Sequence, residues 1–156
     1  HRGIKKSKRI QKIEEILIHT GLTRLAKISA RLLSVGEQQR LAVARAWSLD
    51  PEVLFLDEPT AALDPAATHS LEEIIDLISK SGTKVIMSTH DLGQAKRLAD
   101  EILFLYRGRL LEKASGTEFF NQPKNDLAQS FIRGELLWWH RQELKPPSKS
   151  NNSKDS

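Results

Sequence analysis

The chain has 156 residues, of which 28% are charged and 39% hydrophobic, and its formal net charge is +4. This composition fits one modest globular domain with a basic surface. Cysteine is absent, which excludes disulfides and thiolate metal sites, and no apolar run is long enough to cross a bilayer.

The first predicted element is a basic amphipathic helix. Lys and Arg are dense from Arg2 to Lys12, and apolar residues then recur at helical spacing until Gly21. A second short helix is predicted from Thr23 to about Ala30. The basic run could contact nucleic acid or an anionic membrane. However, such runs are usually solvated helix faces and no aromatic residues are interleaved here, so no nucleic-acid partner is expected.

The next segment combines a phosphate-compatible turn with a helix. Leu41 to Trp47 is Ala-rich and predicts a strong helix, with Ser34 and Gly36 just ahead of its amino terminus. Unpaired N–H groups and the helix dipole make such a position suitable for a phosphate, and glycine allows close approach. The alternative is that Ser34 is an ordinary helix cap and Gly36 an ordinary turn residue.

Two acidic residues follow the most apolar strand of the chain. Val53 to Leu56 predicts a buried strand that ends in Asp57 and Glu58. A carboxylate at such a position favours a bound Mg²⁺, for which Asp57 is the candidate ligand. Glu58 is then placed to accept a proton from an attacking water. The alternative is a strand that simply ends in polar residues and is stopped by Pro59.

A second strand brings a histidine to the same edge. Asp64-Pro65 predicts a helix start, the helix ends at Gly82, and Lys84 to Ser88 is a second strand. Strand, helix and strand predict parallel strands whose carboxyl ends share one edge. His90 therefore lies near the acidic pair and could contact a phosphoryl group or orient water. The alternative is a polar residue ahead of a helix that is capped by Asp91.

The remainder of the chain predicts small elements. They are a helix from about Leu92 to Ala99, a strand Ile102 to Tyr106, a turn at Arg107-Gly108, a strand Arg109 to Glu112, and helices around Thr117 to Asn121 and Asp126 to Arg133. Trp138 and Trp139 are expected to pack rather than to bind a ligand. Residues from Lys145 onward predict a disordered tail.

The order of three segments resembles a known family. Leu33 to Arg40, Val53 to Pro65 and Ser88 to Asp91 are similar to the second half of an ATP-binding-cassette (ABC) ATPase, and the resemblance runs from about Ile10 to Trp138. It implies an α/β fold with a P-loop NTPase-type parallel sheet that is incomplete at its N-terminal side. The implied cassette part spans residues 1–144, with the end of a helical subdomain in about 1–35, and the tail is 145–156.

The resemblance also implies roles for individual residues. Asp57 resembles the aspartate that supports Mg²⁺, Glu58 the general base, and His90 the switch histidine that senses the γ-phosphate of ATP. Residues similar to those that contact ATP across a subunit interface are Ser34, Gly36, Glu37 and Gln38 in the signature motif and Asp64 in the D-loop. The implied cofactors are ATP and Mg²⁺.

The implied function is that of the energy-coupling ATPase of a bacterial importer. Such a subunit is peripheral to the cytoplasmic face of the inner membrane and works with a second ATPase subunit, a transmembrane permease and, indirectly, a periplasmic solute-binding protein. Thr117 to Pro123 and Phe131 to Trp138 resemble oxyanion importers, tungstate first, with phosphate and polar amino acids next. Alternatives are a soluble cassette ATPase of DNA repair or translation, and an inactive remnant.

The chain departs from the family pattern in two ways. No G-x-x-x-x-G-K-S/T motif and no glutamine loop occur, and the first residue is His1, so we expect a carboxy-terminal part of a cassette that binds ATP poorly alone. Val35 stands where the family most often has glycine, and Glu37 where glutamine is usual. A positive φ at Val35 would cost about 1–2 kcal/mol.

Overall fold

The computed structural model describes residues 6–135 of the chain. Contacts divide the chain into two compact units, residues 1–90 and 91–156. In the first unit the elements are α1 (Lys6–His19), 3₁₀ turns at Thr23–Leu25 and Ala30–Leu32, α2 (Val35–Trp47), β1 (Val53–Asp57), α3 (Pro65–Lys80) and β2 (Lys84–Ser88). In the second they are α4 (Leu92–Leu98), β3 (Glu101–Tyr106), β4 (Arg109–Ser115), α5 (Gly116–Asn121) and α6 (Asp126–Ile132).

The first unit contains the predicted strand, helix and strand. β1 and β2 are parallel and in register from Val53 beside Lys84 to Asp57 beside Ser88. The core lies between this two-stranded sheet, α2 and α3, and its buried residues are Val43, Leu54, Leu71, Ile74, Ile75 and Ile78. A second cluster joins α1 to α2 through Ile16, Leu22 and Ala44. The α/β prediction with parallel strands is confirmed.

The opposite face of this sheet is open. Leu54 on β1 is buried, whereas Phe55 beside it is 73% exposed. Val53 on β1 and Ile86 on β2, the residue paired with Phe55, are also exposed. Alternate residues of a strand point to opposite faces, so one face of the sheet packs on α3 and the other carries uncovered apolar side chains.

The predicted helix from Thr23 to Ala30 is wrong. Only Thr23–Leu25 forms a single 3₁₀ turn, and a second short turn covers Ala30–Leu32. Leu22 is buried, but Ile28 is 45% exposed. The segment is short for a stable helix, and its apolar residues Leu22 and Leu25 pack on the α1–α2 cluster from single turns.

The second unit is built on the predicted hairpin. β3 and β4 are antiparallel, and the turn residues Arg107 and Gly108 both have positive φ, of 48° and 74°. Two such residues form the type of turn that matches the twist of a hairpin. β4 continues to Ser115, beyond the predicted end at Glu112. Phe104, Ala114, Phe119 and Ala128 form the core of this unit.

A buried carboxylate holds the two last helices against the hairpin. Glu112 on β4 is 7% exposed and accepts the backbone N–H groups of Lys124 and Asn125, both at 3.0 Å. The next helix, α6, starts directly after Asn125, whose side chain caps it.

Trp138, Trp139 and the tail from Lys145 lie outside the described residues, so the predictions about them stay predictions. In residues 6–135, no helix is long and apolar enough to cross a membrane.

Candidate functional site

The end of β1 presents the two acidic residues. Asp57 is exposed and Glu58 is partly buried. Glu58 has a φ of 43°, a left-handed conformation that residues other than glycine adopt infrequently. Its backbone N–H donates to the carbonyl oxygen of Ser88 at 3.2 Å and to the Ser88 hydroxyl at 3.0 Å. The chain thus turns sharply after the strand and carries the Glu58 side chain away from the ladder.

Ser88 connects the two acidic residues. Its hydroxyl donates to Oδ1 of Asp57 and accepts the N–H of Glu58. Sequence reasoning missed this residue. The signal was nevertheless available, because parallel pairing of two five-residue strands puts their last residues, Asp57 and Ser88, side by side.

His90 lies against the Glu58 carboxylate. Its Nδ1 atom is 3.0 Å from Oε1 and 2.9 Å from Oε2 of Glu58. The His90 side chain is 76% exposed and that of Glu58 is 37% exposed. A protonated Nδ1 would donate to the carboxylate and fix its orientation. Asp91 caps α4 through the N–H of Gln94, so the capping interpretation of that residue is confirmed.

The residues at this edge fit Mg²⁺ only as an ion that also binds a nucleotide. The described residues contain no group of three or more His, Asp or Glu side chains that could hold a metal. Asp57 uses Oδ1 for Ser88, and its Oδ2 makes no hydrogen bond within residues 6–135. Mg²⁺ typically takes one or two carboxylates and completes its shell with phosphate oxygens and waters. Oδ2 of Asp57 is the carboxylate atom best suited to such an ion.

The predicted signature residues form the first turn of α2. Ser34 is the cap, its Oγ accepting the N–H of Glu37 at 3.3 Å, while the Ser34 N–H donates to Oε2 of Glu37 at 2.8 Å. The hydrogen bonds from the backbone and then the side chain of Ser34 lower the pKa of Glu37, with a further contribution from Arg40. Gln38 donates its side-chain amide to the carbonyl of Leu33 at 2.8 Å. These three side chains satisfy their own helix start, and their role toward ATP stays a prediction.

Gly36 lies inside α2, not in a turn ahead of it. The helix starts at Val35 with Ser34 as its cap, so Ser34 precedes the helix as predicted, whereas Gly36 is its second residue. A Cβ atom on Gly36 would stand 3.1 Å from the Cβ of Ala67, on the first turn of α3. The absence of a side chain at Gly36 thus goes with a close approach of the first turns of α2 and α3.

Val35 carries no backbone strain. It is the first residue of α2, and it is not among the described non-glycine residues with positive φ, which are Asp50, Glu58 and Arg107. The cost of 1–2 kcal/mol anticipated for a positive φ therefore does not arise. Its side chain is 56% exposed.

Asp64 caps α3 as predicted. Its Oδ1 accepts the N–H groups of Ala66 and Ala67, each at 2.9 Å, and Pro65 occupies the first turn. The structure thus brings Asp57, Glu58 and His90 together around Ser88. Separately, it sets the start of α2 against the start of α3 through Gly36 and Ala67.

Comparison with known proteins places the chain among ATP-binding proteins. A family model described as "AAA domain, putative AbiEii toxin, Type IV TA system" matches residues 1–93. The phosphate import ATP-binding protein PstB of Mycoplasmoides gallisepticum is 48% identical over 108 residues, which are 69% of this chain and 33% of that protein. PstB of Thermotoga maritima is 47% identical and is covered to 43%. The methionine import ATP-binding protein MetN of Sodalis glossinidius is 38% identical over 86% of this chain and 39% of its own length.

A solved structure agrees on the fold. The ADP conformation of MJ1267, an ATP-binding cassette of an ABC transporter, superposes with a TM-score of 0.70 over 85% of this chain and 52% of that one, at 22% identity. The chain spans between a third and half of the length of the curated relatives described above. The chain belongs to this AAA domain family, and the importer relatives that it resembles are ATP-binding subunits of which it matches part of the carboxy-terminal region.

Proposed function

We propose that the chain supplies the hydrolytic residues of an importer subunit that couples ATP hydrolysis to the uptake of a small solute. The observation that carries the proposal is the Glu58 carboxylate, held by His90 Nδ1 at 2.9 Å and next to Asp57 at the end of β1. Phosphoryl transfer depends mostly on positioning and electrostatic stabilisation, and the cluster of Asp57, Glu58 and His90 is suited to both.

Each residue has one task in this proposal. Glu58 accepts a proton from the water that attacks the γ-phosphate, and His90 holds the Glu58 carboxylate in place. Asp57 would hold Mg²⁺, and such an ion would supply positive charge against the phosphate oxygens. Contacts of the α2 start with ATP, through Ser34, Gly36, Glu37 and Gln38, and of the Asp64 loop with a second subunit, are part of the same proposal.

The names of the relatives support a proposal for the working assembly. We propose a pair of ATPase subunits on the cytoplasmic face of the inner membrane, bound to a transmembrane permease and served by a periplasmic solute-binding protein. Relatives that are named for phosphate import are 43–48% identical, and those named for methionine import 38–39%. Phosphate is therefore the proposed solute. No relative described here is named for tungstate, and none is a DNA-repair or translation ATPase, so those alternatives lack support.

The test uses the chain fused behind the amino-terminal part of a phosphate import relative. We expect the fusion to hydrolyse ATP, and Glu58→Gln to reduce turnover by about 10²–10⁴-fold while ATP binding persists, because only proton acceptance is lost. Glu73→Gln is the matched control, since Glu73 also faces a histidine, His69, at 3.4 Å on the surface of α3. Turnover that survives in Glu58→Gln would remove Glu58 from the proposed role. An inactive fusion would favour the remnant interpretation.

A further inference from the structure

One hydroxyl group lies between the two acidic residues of the candidate site. Ser88 Oγ donates to Asp57 Oδ1 and accepts the N–H of Glu58 at 3.0 Å. We propose that Ser88 is a positioning residue, whose hydroxyl fixes the carboxylates of Asp57 and Glu58 relative to each other. The meaning of this role for catalysis rests on the proposed function, whereas the role itself can be tested on the chain alone.

The backbone of Glu58 needs an external hold. A φ of 43° at a residue other than glycine persists only where the surroundings enforce it. Ser88 supplies both acceptors for the Glu58 N–H, namely its carbonyl at 3.2 Å and its hydroxyl at 3.0 Å. Losing the hydroxyl would leave the longer contact alone and allow the turn after β1 to relax. The Glu58 carboxylate that faces His90 would then no longer start from a fixed backbone position.

The same hydroxyl orients Asp57. A carboxylate at the exposed end of a strand can rotate, but the hydrogen bond from Ser88 to Oδ1 selects one orientation and leaves Oδ2 for another partner. Ser88 is itself exposed, so its side chain has little packing role that a substitution would disturb. Its effect on the site therefore passes through hydrogen bonds.

A matched pair of variants isolates the hydroxyl. Ser88→Thr keeps it and Ser88→Val has nearly the same shape without it, and both threonine and valine suit a strand. In the chain, NMR would measure amide exchange at Glu58 and the coupling constants that report its φ. We expect Ser88→Val to exchange about five- to tenfold faster at Glu58 than Ser88→Thr, as for the loss of one hydrogen bond. The coupling constants should move away from left-handed values, while the amides of residues 54–56 serve as internal controls.

The proposal is overturned if Ser88→Val and Ser88→Thr give the same NMR results at Glu58. If Glu58 in Ser88→Val keeps the exchange rate and coupling constants of Ser88→Thr, the hydroxyl holds nothing. If amide exchange at residues 54–56 speeds up as much as at Glu58 in Ser88→Val, Ser88 stabilises the strand as a whole. It then has no specific positioning role.

Steady-state kinetics of the fusion protein test the catalytic consequence. We expect Ser88→Val to lower kcat by about tenfold relative to Ser88→Thr, with KM for ATP changed less than about twofold, because binding groups are retained and only alignment is lost. Equal kcat values in the two variants would refute a positioning role in the reaction. A fusion that is inactive with Ser88 in place would refute the proposed function, and the NMR comparison would still decide the role of Ser88.

Discussion

At the start of α2, Ser34 and Glu37 each satisfy a backbone N–H of the other. This reciprocal arrangement is a capping box, and it needs a carboxylate or amide at the third helical position. The residues that resemble the signature motif therefore have a local structural task, whatever they do toward ATP. Glu37 serves that task in its charged form, because hydrogen bonds to its carboxylate from the backbone N–H and then the side chain of Ser34 lower its pKa.

The lowered pKa of Glu37 gives the helix start a pH dependence. A carboxyl group whose folded pKa is depressed stabilises the fold above its unfolded pKa, and that contribution is lost as pH falls through the folded value. We expect the free energy of unfolding of the wild-type chain to exceed that of Glu37→Ala at neutral pH, and the difference to shrink below about pH 4.5, where the unfolded group takes up its proton.

Urea unfolding of both proteins from pH 7 to pH 3 measures this difference. Ser34→Ala is the companion variant, for which a loss of about 0.5–2 kcal/mol is typical of a removed cap. A difference between wild type and Glu37→Ala that stays constant over the whole pH range would contradict the assignment.

At the scale of elements, the first unit depends on how closely α2 approaches α3. Gly36 lies against Ala67, and Leu63 lies at the limit of van der Waals contact with the same point. Two small residues at one crossing allow the helix starts to meet. The contact joins the first turn of α2, which carries the predicted signature residues, to the first turn of α3, which Asp64 caps.

Replacing Gly36 by alanine should reveal the contact. Alanine in a helix is normally more favourable than glycine by about 0.8–1 kcal/mol. Here the added Cβ would lie 3.1 Å from Ala67, so we expect Gly36→Ala to bring no gain or to destabilise the chain.

A double-mutant cycle with Ala67→Gly supplies the control. Removing the Ala67 Cβ should restore the ordinary benefit of alanine at position 36, which urea unfolding of the two single variants and the double variant would measure. Stabilisation by Gly36→Ala alone, near the ordinary value, would show that the helices are not held at this distance.

At the scale of the whole molecule, the first unit shows an apolar sheet face without a cover. Phe55 is 73% exposed, and Val53 and Ile86 are exposed on the same face of β1 and β2, which pair only with each other within residues 6–135. Exposed apolar faces and unpaired strand edges promote association. The relatives are two to three times as long as the segment that the chain matches, so they contain sequence that this chain does not.

A substitution at Phe55 separates association from stability. We expect Phe55→Thr to reduce concentration-dependent association of the chain, measured by sedimentation velocity, with little loss in the free energy of unfolding because the ring buries little area. Leu54→Thr on the opposite, buried face is the matched control and should cost about 2–4 kcal/mol. Unchanged association in Phe55→Thr would show that this face is not the one that associates.

Much of the fold and of the acidic site was predictable, since it rests on local patterns. Val53 to Asp57 reads as a strand from its apolar residues, Asp64-Pro65 as a helix start, and Arg107-Gly108 as a hairpin turn, and each is confirmed. The shared edge of Glu58 and His90 followed from parallel pairing. The helix predicted from Thr23 forms only single turns although Leu22 and Leu25 pack on α1 and α2, because so short a segment is marginal as a helix.

The sequence by itself determined the family, the strand, helix and strand order, and the chemical types at the candidate site, because caps, turns and short motifs act over a few residues. Only the tertiary structure decided that the Ser88 hydroxyl contacts both Asp57 and Glu58, and that Glu58 has a left-handed backbone. It also decided that a Cβ atom on Gly36 would lie 3.1 Å from the Cβ of Ala67. These features arise where segments about 30 residues apart meet. The distances between these segments are set by how the segments pack together, which the sequence of either segment alone does not specify.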